Sequence, residues 1–538
     1  MPPLRYALLL SAALATSVQA ANWSAPEAIV PPSDFKGVHG LAIDQQGRLL
    51  AGSVVGSSIY QVDKETGEVS TLIGPDKGQA DDIAIGPKGE MAWTGFQSGK
   101  IFYRAHDDAE IVMLAEDLPG INSIAFNQDT GALYASQVFH GDALWQIDRD
   151  GAESPRLIRE DMGGFNGFEV GTDGWIYGPL WFKGQVVRIN PEDGAMETLA
   201  EGLQIPAAVN FDSQGNLFVV DAKAGELLRI SAEDRELSSV ASLATALDNL
   251  TVAADDRIYV SNMADNSITR VNPQTGGAEV LTQGDLAVPA GIALDQAREQ
   301  LYVADIFAFR RVDLASGQVT DIRRAHGDDI EYPTGVSLGR ERILLTSFAD
   351  GSLQILQRSD YSTELKLHDL PAPSAAVELP DGRIAVSLMG SGEIVLLSGD
   401  ELQNSTTLIS DLLGPVAMQL GQDGALYLTE AAGMLSRVNI ASGELERLVT
   451  DLAMPEGLVE LSAGQWLVAE TAKQQISLID LEQDTQQVVA SELPIGFPAG
   501  PGMPPSGIPT GLSLDAVGNL YFGSDLDNGL YRMARGQE

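Results

Sequence analysis

Six positions, spaced 41 to 44 residues apart, carry the side chains of this chain that are best suited to chemistry. Each position precedes an apolar, strand-like segment by two residues, so the six side chains are expected to occupy equivalent places in a repeated unit. Four of them are carboxylates or carboxamides, one is a histidine and one is an alanine. The six residues are His39, Asp81, Asn122, Asn166, Ala207 and Asp248.

The oxygen donors in this set predict a site for a hard divalent cation. Carboxylates and amide carbonyls that meet on one axis repel one another unless a cation or a neutral group lies among them, and calcium takes about six to eight oxygen ligands. Ca²⁺ is therefore the expected ion, with another divalent cation as an option. The alternative is an axial polar network bridged by buried water. The predicted metal ligands are Asp81, Asp82, Asn122, Asn166, Asp248 and Asn249.

Two histidines and three aromatic residues are the other candidates for chemistry. The imidazole of His39 titrates near neutral pH and is a candidate general base, with a hydrogen-bonded structural role as the alternative. His140 lies on a loop expected to open at the same end of the repeat, and Asp81 is the third candidate catalytic group. The aromatic residues of these loops are candidates to bind a small organic substrate, with packing against a neighbouring unit as the alternative. They are Phe139, Trp181 and Phe182.

The remaining histidines and two isolated glutamates are interpreted as surface groups. His106, His326 and His368 are placed at the periphery of the repeats, where they are expected to be solvated. Glu430 and Glu470 each end the second strand of a later unit, and they are expected to be polar residues of the surface or the mouth.

All these side chains are positioned by a unit that recurs along the whole chain, for example at residues 40–53, 209–221 and 512–524. An alternating apolar segment is followed by a polar turn, a second β-rich segment, a third strand and a short outer strand. The period-2 alternation is typical of strands and not of helices. Successive units are 40 to 44 residues apart, except for a last gap of 54 residues. This period is that of a four-stranded propeller blade.

Twelve such units predict an all-β protein made of two tandem six-bladed β-propellers. A propeller has about four to eight blades, so twelve blades are expected to form two rings. The predicted boundaries are residues 1–20 for a signal peptide, 21–277 for the first propeller and 278–538 for the second. In the second ring the predicted ligands are absent, because the equivalent positions are mostly small or apolar. These positions are Ala290, Thr334, Ala375, Val416, Glu456 and Thr510.

The two ends of the chain predict how the rings close. The twelfth unit stops after its third strand, at Met533, and a surplus strand-like segment at residues 25–30 precedes the first unit. We expect residues 25–30 to complete the sixth blade and residues 278–281 to complete the twelfth, because a shared strand removes both free edges of a ring. The proline-rich residues 493–506 are expected to form an ordered loop over one face of the second ring.

Composition sets bounds on partners and location. The formal net charge is −42 and the chain has no cysteine, which excludes disulfides and opposes binding to nucleic acid or to anionic lipid. Residues 1–20 are predicted to be a secretory signal, with Arg5 before a short apolar run and cleavage near Ala20. We therefore expect a periplasmic or secreted protein without membrane insertion. A small-molecule ligand is expected, and a protein partner is a further option for the second propeller.

Two stretches carry a resemblance to a known family. They are Asn166-Gly-Phe-Glu-Val-Gly-Thr-Asp-Gly-Trp-Ile-Tyr177 and Asp248-Asn-Leu-Thr-Val-Ala-Ala-Asp-Asp-Arg-Ile-Tyr-Val260. The first half of the chain thereby resembles the six-bladed calcium propellers of the SMP-30/gluconolactonase/LRE group, and more distantly the paraoxonase-like lactonases and the strictosidine synthase-like fold. The second half resembles NHL-type or gluconolactonase-type blades. The resemblance implies ligand roles for Asn122, Asn166, Asp248 and Asn249. The sequence departs from the family pattern at His39, where an acidic residue is expected.

The activity that this resemblance implies is calcium-dependent hydrolysis of a lactone or a small ester at the mouth of the first propeller. The metal would polarise the carbonyl, and a histidine or a carboxylate would activate water. Two alternatives remain. One is a non-catalytic periplasmic or extracellular binding propeller with a structural calcium. The other is a lyase resembling the streptogramin-inactivating propellers, based on the Pro-x-Gly starts at Pro289, Pro333, Pro455 and Pro509.

Overall fold

Twelve antiparallel sheets of four strands each make up the fold. The structure is a computed structural model, and it describes residues 23–500 and 507–536. The predicted signal peptide and residues 501–506 of the predicted loop lie outside the described residues. Within the described residues, helical structure is confined to the 3₁₀ turn Thr471–Lys473, and no helix in this part of the chain has the length and apolarity needed to cross a bilayer. The prediction of an all-β protein built from two six-bladed propellers is confirmed.

The first ring contains blades one to six, each built from four consecutive strands. Strand β1 (Glu27–Val30) precedes this ring in the chain. The strands of the ring, in chain order and blade by blade, are β2 (Leu41–Ile43), β3 (Leu49–Ser53), β4 (Ser58–Val62) and β5 (Val69–Ile73); β6 (Ala80–Ile85), β7 (Met91–Gly95), β8 (Lys100–Arg104) and β9 (Val112–Ala115); β10 (Ile121–Phe126), β11 (Leu133–Gln137), β12 (Ala143–Ile147) and β13 (Arg156–Glu160); β14 (Glu169–Val170), β15 (Ile176–Leu180), β16 (Gln185–Ile189) and β17 (Met196–Glu201); β18 (Pro206–Phe211), β19 (Leu217–Asp221), β20 (Glu226–Ile230) and β21 (Leu237–Ser242); β22 (Leu247–Val252), β23 (Ile258–Asn262), β24 (Ser267–Val271) and β25 (Ala278–Thr282).

The second ring contains blades seven to twelve. Its strands are β26 (Ile292–Asp295), β27 (Gln300–Ala304), β28 (Ala308–Asp313) and β29 (Val319–Arg324); β30 (Gly335–Leu338), β31 (Arg342–Ser347), β32 (Ser352–Gln357) and β33 (Thr363–Leu367); β34 (Pro373–Glu378), β35 (Ile384–Leu388), β36 (Glu393–Ser398) and β37 (Asn404–Ile409); β38 (Pro415–Leu420), β39 (Leu426–Glu430), β40 (Met434–Val438) and β41 (Leu445–Val449); β42 (Pro455–Ser462), β43 (Gln465–Glu470), β44 (Gln475–Asp480) and β45 (Thr485–Ala490); β46 (Leu512–Leu514), β47 (Leu520–Gly523) and β48 (Leu530–Met533).

The core of each ring lies between neighbouring blades, because alternate side chains of a strand face the adjacent sheet. Trp466 of blade eleven is fully buried and stacks on Tyr427 of blade ten, with the ring centroids 4.3 Å apart. Each ring closes where its first and last blades meet. In the first ring β2 contacts β22, and in the second the Gly511 N–H donates to the Ala290 carbonyl at 3.2 Å.

The predicted pairing of the two surplus strands is wrong. Strand β1 pairs with β48 and completes blade twelve, with Glu27 opposite Arg532. Strand β25 pairs with β24 and completes blade six, so residues 278–281 do not belong to the second ring. The physical reason is that β24 and β25 are joined by a short turn, and closing a short local hairpin costs less chain entropy than recruiting a strand from far away. Among the described residues, blade twelve is the one blade whose fourth strand, β1, is not local to it.

The consequence of this pairing is that the described part of the chain starts in the second ring, crosses to the first and then returns. The first crossing, residues 31–40, is held by two buried asparagines from equivalent loops of blades six and twelve. Asn266 accepts from the Gly37 N–H at 2.7 Å and donates to the Ala287 carbonyl at 2.9 Å. Asn528 donates to the Ser33 carbonyl at 3.0 Å. These contacts fix the chain directly before the inner strand of blade one.

Loops of the two rings also pack directly on each other. Arg324, at the end of blade seven, makes a bidentate ion pair with Asp265 of blade six at 2.7 and 2.8 Å. Beside it, one apolar cluster contains Val55 and Met263 of the first ring together with Phe307 of the second. The end of the first ring at which its inner strands begin is therefore in contact with the corresponding end of the second ring.

The interpretation of Glu430 and Glu470 as surface or mouth residues is wrong, because both are fully buried. Each carboxylate accepts a backbone N–H from the loop that leads into the inner strand of its own blade, from Leu413 at 2.7 Å and from Ala453 at 2.9 Å. A carboxylate in this place satisfies loop N–H groups that would otherwise be buried without a partner. These two glutamates are therefore structural.

Candidate functional site

The polar side chains of the first ring are brought to the axis by irregular starts of the inner strands. In β6 the regular register with β7 shifts between Ala80 and Ile83, and in β22 the register with β23 shifts between Leu247 and Leu250. A β-bulge of this kind redirects consecutive side chains and is frequent beside functional sites. It places Asp81 and Asp82, and likewise residues 248 and 249, at the axis in two successive layers.

A glycine sets the spacing between blades one and two at this end. The Gly40 N–H donates to the Asp81 carbonyl at 2.7 Å. A Cβ atom at residue 40 would lie 2.4 Å from that carbonyl oxygen and 2.8 Å from Asp82 Oδ1. Only glycine permits such a close approach of two backbones. The approach places His39, the preceding residue, beside Asp81.

The outer layer is a compact cluster of three ionisable side chains. His39 Nδ1 lies 3.3 Å from Asp248 Oδ2 and 3.8 Å from Asp81 Oδ1. One ligand atom from each residue lies within 4.8 Å of the other two. His39 and Asp81 are buried, and the Asp248 side chain is 14% exposed. Within the described residues this is the one group of three or more His, Asp or Glu side chains that is arranged to share an ion.

A hydrogen-bonded chain extends this cluster across the axis. Asn122 Nδ2 donates to Asp81 Oδ2 at 2.9 Å. The hydroxyl oxygen of Ser123 lies 3.0 Å from Asn122 Oδ1 and 2.9 Å from Asn166 Oδ1. The structure therefore links three of the predicted site residues, Asp81, Asn122 and Asn166, by hydrogen bonds that pass through the buried hydroxyl of Ser123, and His39 lies beside Asp81. Sequence reasoning missed this serine, although it directly follows a register position.

Asp82 and Asn249, also predicted as ligands, lie in the inner layer. Asn249 Nδ2 donates to Asp82 Oδ1 at 3.2 Å, and backbone N–H groups of Ile83 and Ile124 also donate to the Asp82 carboxylate. This pair faces a cavity of about 190 Å³ along the inner strands, which Glu169 also lines. Burial raises the pKa of Asp82 and that of Glu169 to about 7. Asp82 and Asn249 are thus hydrogen-bonded to each other in a layer next to the His39 cluster.

Burial and mutual charge perturb the outer cluster. Burial raises the pKa of the Asp81 carboxyl well above its usual value; the charge of His39 opposes this rise, whereas Asp248 and Asp82 add to it. Burial by itself would lower the pKa of His39, but a hydrogen bond and the charge of Asp248, together with Asp81, raise it. Two buried carboxylates therefore depend on positive charge at this point, which His39 supplies when it is protonated.

The residues of the outer cluster fit a divalent cation. Carboxylate and carboxamide oxygens of Asp81, Asp248, Asn122 and Asn166 are the donors that hard cations prefer. A cation among them would also remove the cost of burying two like charges. Among the described residues, no group hydrogen-bonds the buried Nε2 atom of His39. An imidazole ligand suits zinc or another transition ion better than calcium. Whether His39 binds the ion directly therefore decides which ion the site prefers.

Side chains of the second propeller cover this cluster. The ring of Phe307 packs edge-on against the ring of His39, with the centroids 5.7 Å apart. The Tyr332 hydroxyl and His326 Nε2 form a hydrogen bond of 3.0 Å, and the Tyr332 ring contacts Phe307 at 5.9 Å. The expectation that His326 is a solvated peripheral residue is therefore wrong. Burial lowers its pKa to about 4, whereas His106 and His368 are exposed as expected.

The aromatic candidates gather beside this cover. Trp181 is buried and its ring contacts His326 at 4.9 Å and Phe139 at 5.4 Å. Phe139 and Phe182 contact each other at 5.8 Å and are 45% and 62% exposed.

The ring contact of His140, an exposed residue, is with Phe96, whereas that of His39 is with Phe307. The predicted His39–His140 pair thus does not appear as a ring contact.

The axis of the second ring is wider than that of the first, as the small and apolar residues at its register positions predict. It encloses a cavity of about 480 Å³, larger than that of the first ring. Its lining includes Ala375 and Val416, two of the small or apolar residues at the register positions. Small side chains at these positions leave the channel wider, and the described residues of this ring form no carboxylate cluster like that of the first.

Comparisons with known proteins give one family match and several similar structures. Residues 18–223 match the family model described as SMP-30/Gluconolactonase/LRE-like region, so the predicted resemblance is confirmed over these residues. No curated protein matches the chain significantly in sequence. The extracellular domain of BT4673 from B. thetaiotaomicron is similar at 12% identity and a TM-score of 0.32, over 95% of this chain and 82% of that one. Virginiamycin B lyase from Staphylococcus aureus is similar at 14% identity and a TM-score of 0.26, over 61% of this chain and 94% of that one.

Proposed function

We propose that this chain, whose residues 18–223 carry the SMP-30/gluconolactonase/LRE-like region, is a hydrolase that depends on a divalent cation and acts on a lactone or a small ester. The reaction would take place at the mouth of the first propeller. The observation that carries the proposal is the cluster of His39 and Asp81, both buried, with the partly buried Asp248, whose ligand atoms lie within 4.8 Å of one another. A cation held there would supply a Lewis acid for the ester carbonyl.

The residues of the chain itself would divide the remaining tasks. Asp81 and Asp248, with the carboxamides of Asn122 and Asn166, would hold the ion. The contact of His39 Nδ1 with Asp248, at 3.3 Å, orients the imidazole and leaves Nε2 as the nitrogen that can accept a proton from water. Phe307 and Tyr332 would keep bulk water away from the cluster, which strengthens every charge interaction within it.

The charge of the protein supports an uncharged substrate. A formal net charge of −42 and two carboxylates in the site create a negative potential that repels anions. Lactones and small esters are neutral, and their hydrolysis releases a carboxylate that the same potential would expel. Calcium is the ion that the oxygen donors favour, and a transition ion is favoured if His39 becomes a ligand.

The first experiment is metal analysis of the purified chain by mass spectrometry, with thermal unfolding in the presence and absence of EDTA. We expect one tightly held divalent ion per chain. With free ion about 100-fold above its Kd, binding contributes about 2.7 kcal/mol, which corresponds to a melting temperature about 5 to 10 °C higher for a ring of this size. Asp248→Asn should abolish both the ion and the EDTA effect. Asp255→Asn, at an exposed turn of the same blade, is the matched control and should retain both.

Hydrolysis is then measured by pH-stat on a panel of lactones and small esters. Turnover that is lost in Asp248→Asn and in His39→Gln, with folding retained, supports the proposal. An ion that stabilises the protein without turnover of any member of the panel would favour a binding propeller with a structural cation. Absence of both an ion and an EDTA effect would refute metal-dependent hydrolysis.

A further inference from the structure

Aromatic rings form a continuous bridge from the exposed rim of the first propeller, through the second propeller, to the His39 cluster. Each ring contacts the next, with centroid separations between 4.9 and 5.9 Å. The two residues at the rim belong to the first propeller, and the residues in the middle of the bridge belong to the second. Neither propeller therefore contains the whole bridge. In order, the residues are Phe139, Trp181, His326, Tyr332, Phe307 and His39.

The loop of the second propeller that carries the middle of the bridge is docked firmly on the first. Arg324 pairs with Asp265 at its start, and its nitrogen Nη2 also donates to the Thr245 carbonyl at 2.9 Å. Gly327 approaches Thr245 so closely that a Cβ atom at residue 327 would lie 2.5 Å from the Thr245 hydroxyl oxygen. The loop from residue 325 to Tyr332 is therefore a fixed part of the mouth of the first propeller.

Backbone strain at two aromatic residues of the bridge indicates that their positions are imposed by the surrounding structure. Phe139 has a φ of 68° and Tyr332 a φ of 34°. Bulky side chains rarely adopt positive φ, and such conformations concentrate at binding and active sites. Phe139 is nevertheless held in contact with both Trp181 and Phe182, at 5.4 and 5.8 Å.

One edge of the bridge is open to solvent. Phe182 is 62% exposed and Phe139 is 45% exposed, and their rings are perpendicular. Two exposed rings in edge-to-face contact leave ring faces free, and a third ring can pack on them in stacked or edge-to-face geometry. The exposed pair continues through buried Trp181 to His326, so a ligand packed there would lie against rings that continue into the second propeller.

We propose that the second propeller forms one wall of the substrate site of the first, and that this composite site binds a neutral molecule that carries a phenyl or similar flat apolar group. The flat group packs on Phe139, Phe182 and Trp181. His326 and Tyr332, held to each other at 3.0 Å, are positioning residues that support Trp181 from the second propeller. This inference deepens the proposed function and rests on it only for the reaction at the carbonyl.

The test measures binding without turnover. The probe is 2-phenyltetrahydrofuran, which has the ring and the phenyl group of a phenyl-substituted lactone but no carbonyl, and its affinity is measured by titration calorimetry. The variants are Phe182→Ala in the first propeller, and Tyr332→Phe and His326→Ala in the second. Val488→Ala is the control, because it removes an apolar side chain of similar exposure, 50%, from an outer strand of blade eleven.

We expect Phe182→Ala and His326→Ala each to weaken binding about threefold to tenfold, and Tyr332→Phe about twofold to threefold. Val488→Ala should bind as the unmodified chain does. The thermal midpoint of each variant is also recorded. If the role of His326 is purely structural, the loss of affinity in His326→Ala should be matched by a lower midpoint. Tyr332→Phe keeps the aromatic ring, so it should lower the affinity and leave the midpoint unchanged.

Each outcome decides the point. Weakened binding in the variants of both propellers supports the composite site, even if the unmodified chain hydrolyses no lactone, in which case only the proposed function fails. Weakening in Phe182→Ala alone would show that the second propeller does not contribute, which overturns the inference. No binding of the probe to the unmodified chain would overturn it as well.

Discussion

Replacing Asn266 by alanine should loosen the crossing between the two propellers. Asn266 is 1% exposed, and its side chain accepts from the Gly37 N–H at 2.7 Å and donates to the Ala287 carbonyl at 2.9 Å. It also donates to the Phe35 carbonyl, but Asn528 donates to that carbonyl too. Asn266 also donates to the Leu286 carbonyl, which keeps the Ser33 hydroxyl as a second donor. Alanine would therefore leave two buried backbone groups without their side-chain partner and spare the other two.

The expected loss follows from these contacts. A buried polar group that loses its partner costs about 1 to 3 kcal/mol. The φ of residue 266 is 44°, and a residue other than glycine or asparagine costs about 1 kcal/mol more in this conformation. For Asn266→Ala, two such losses and the conformational cost together give about 3 to 7 kcal/mol, of which we take about 4 kcal/mol as a conservative value. For a ring of about 250 residues this corresponds to a melting temperature lower by about 10 °C.

Differential scanning calorimetry measures the effect. Asn404→Ala, at an exposed position of an outer strand, is the control and should change stability by less than about 0.5 kcal/mol. Asn266→Gly should lose about 1 kcal/mol less than Asn266→Ala, because glycine adopts positive φ without strain. A melting temperature of Asn266→Ala within about 2 °C of the unmodified chain would refute the reasoning. Because Gly37 precedes His39 by two residues, the same variant should also hold the predicted ion less tightly.

Two further predictions concern the same junction and the site. Lys36 is 4% exposed and donates to Asn528 at 2.9 Å; burial lowers its pKa to about 8 and raises that of Asp525 nearby to about 6. Since the folded pKa of Asp525 lies above its unfolded value, protonation below about pH 6 favours the folded state. Lys36→Met should therefore lower the free energy of unfolding by about 3 kcal/mol at pH 7.5, where the Asp525 carboxylate stays charged, and by less at pH 5. Equal decreases at the two pH values, measured by urea unfolding, would contradict this prediction. Gly40→Ala should lower stability by about 3 kcal/mol and abolish ion uptake, because its Cβ would meet the Asp81 carbonyl at 2.4 Å. Gly74→Ala, where a Cβ meets no atom within 4 Å, is its control, and ion uptake by Gly40→Ala equal to that of Gly74→Ala would argue against the proposed site.

The repeat and the polar residues of the first axis could be predicted because their signals are local. Alternation within a strand and the residue two places before it lie within one unit of about 40 residues, and twelve copies reinforce one another. The same register predicts that Asp81, Asn122 and Asn166 converge, and the structure joins them through Ser123. The two layers, with Asp82 and Asn249 behind the outer cluster, depend on β-bulges that a register count does not reveal.

Ring closure could not be predicted correctly from the same pattern. Strands β1 and β25 can each complete either blade six or blade twelve. The alternation of apolar and polar residues is the same in both arrangements and does not distinguish them. The decision depends on which strand can form a local hairpin, as β25 does with β24, and on which blade is left without one. For the same reason the buried roles of Glu430 and Glu470 were missed, since the backbone N–H groups that they satisfy lie in loops 17 residues earlier in the chain.

By itself, the sequence determined the strands, the twelve blades and the polar axis of the first ring, because each follows from contacts between residues close in the chain or equivalent in the repeat. Only the tertiary structure decided that β1 closes the second ring and that Phe307, His326 and Tyr332 cover the site of the first. His39 directly precedes blade one and Phe307 belongs to blade seven, so all six blades of the first ring lie between them in the chain, and no periodic signal connects them. Their contact arises from the packing of one ring on the other, which depends on the shapes of complete surfaces rather than on any local pattern.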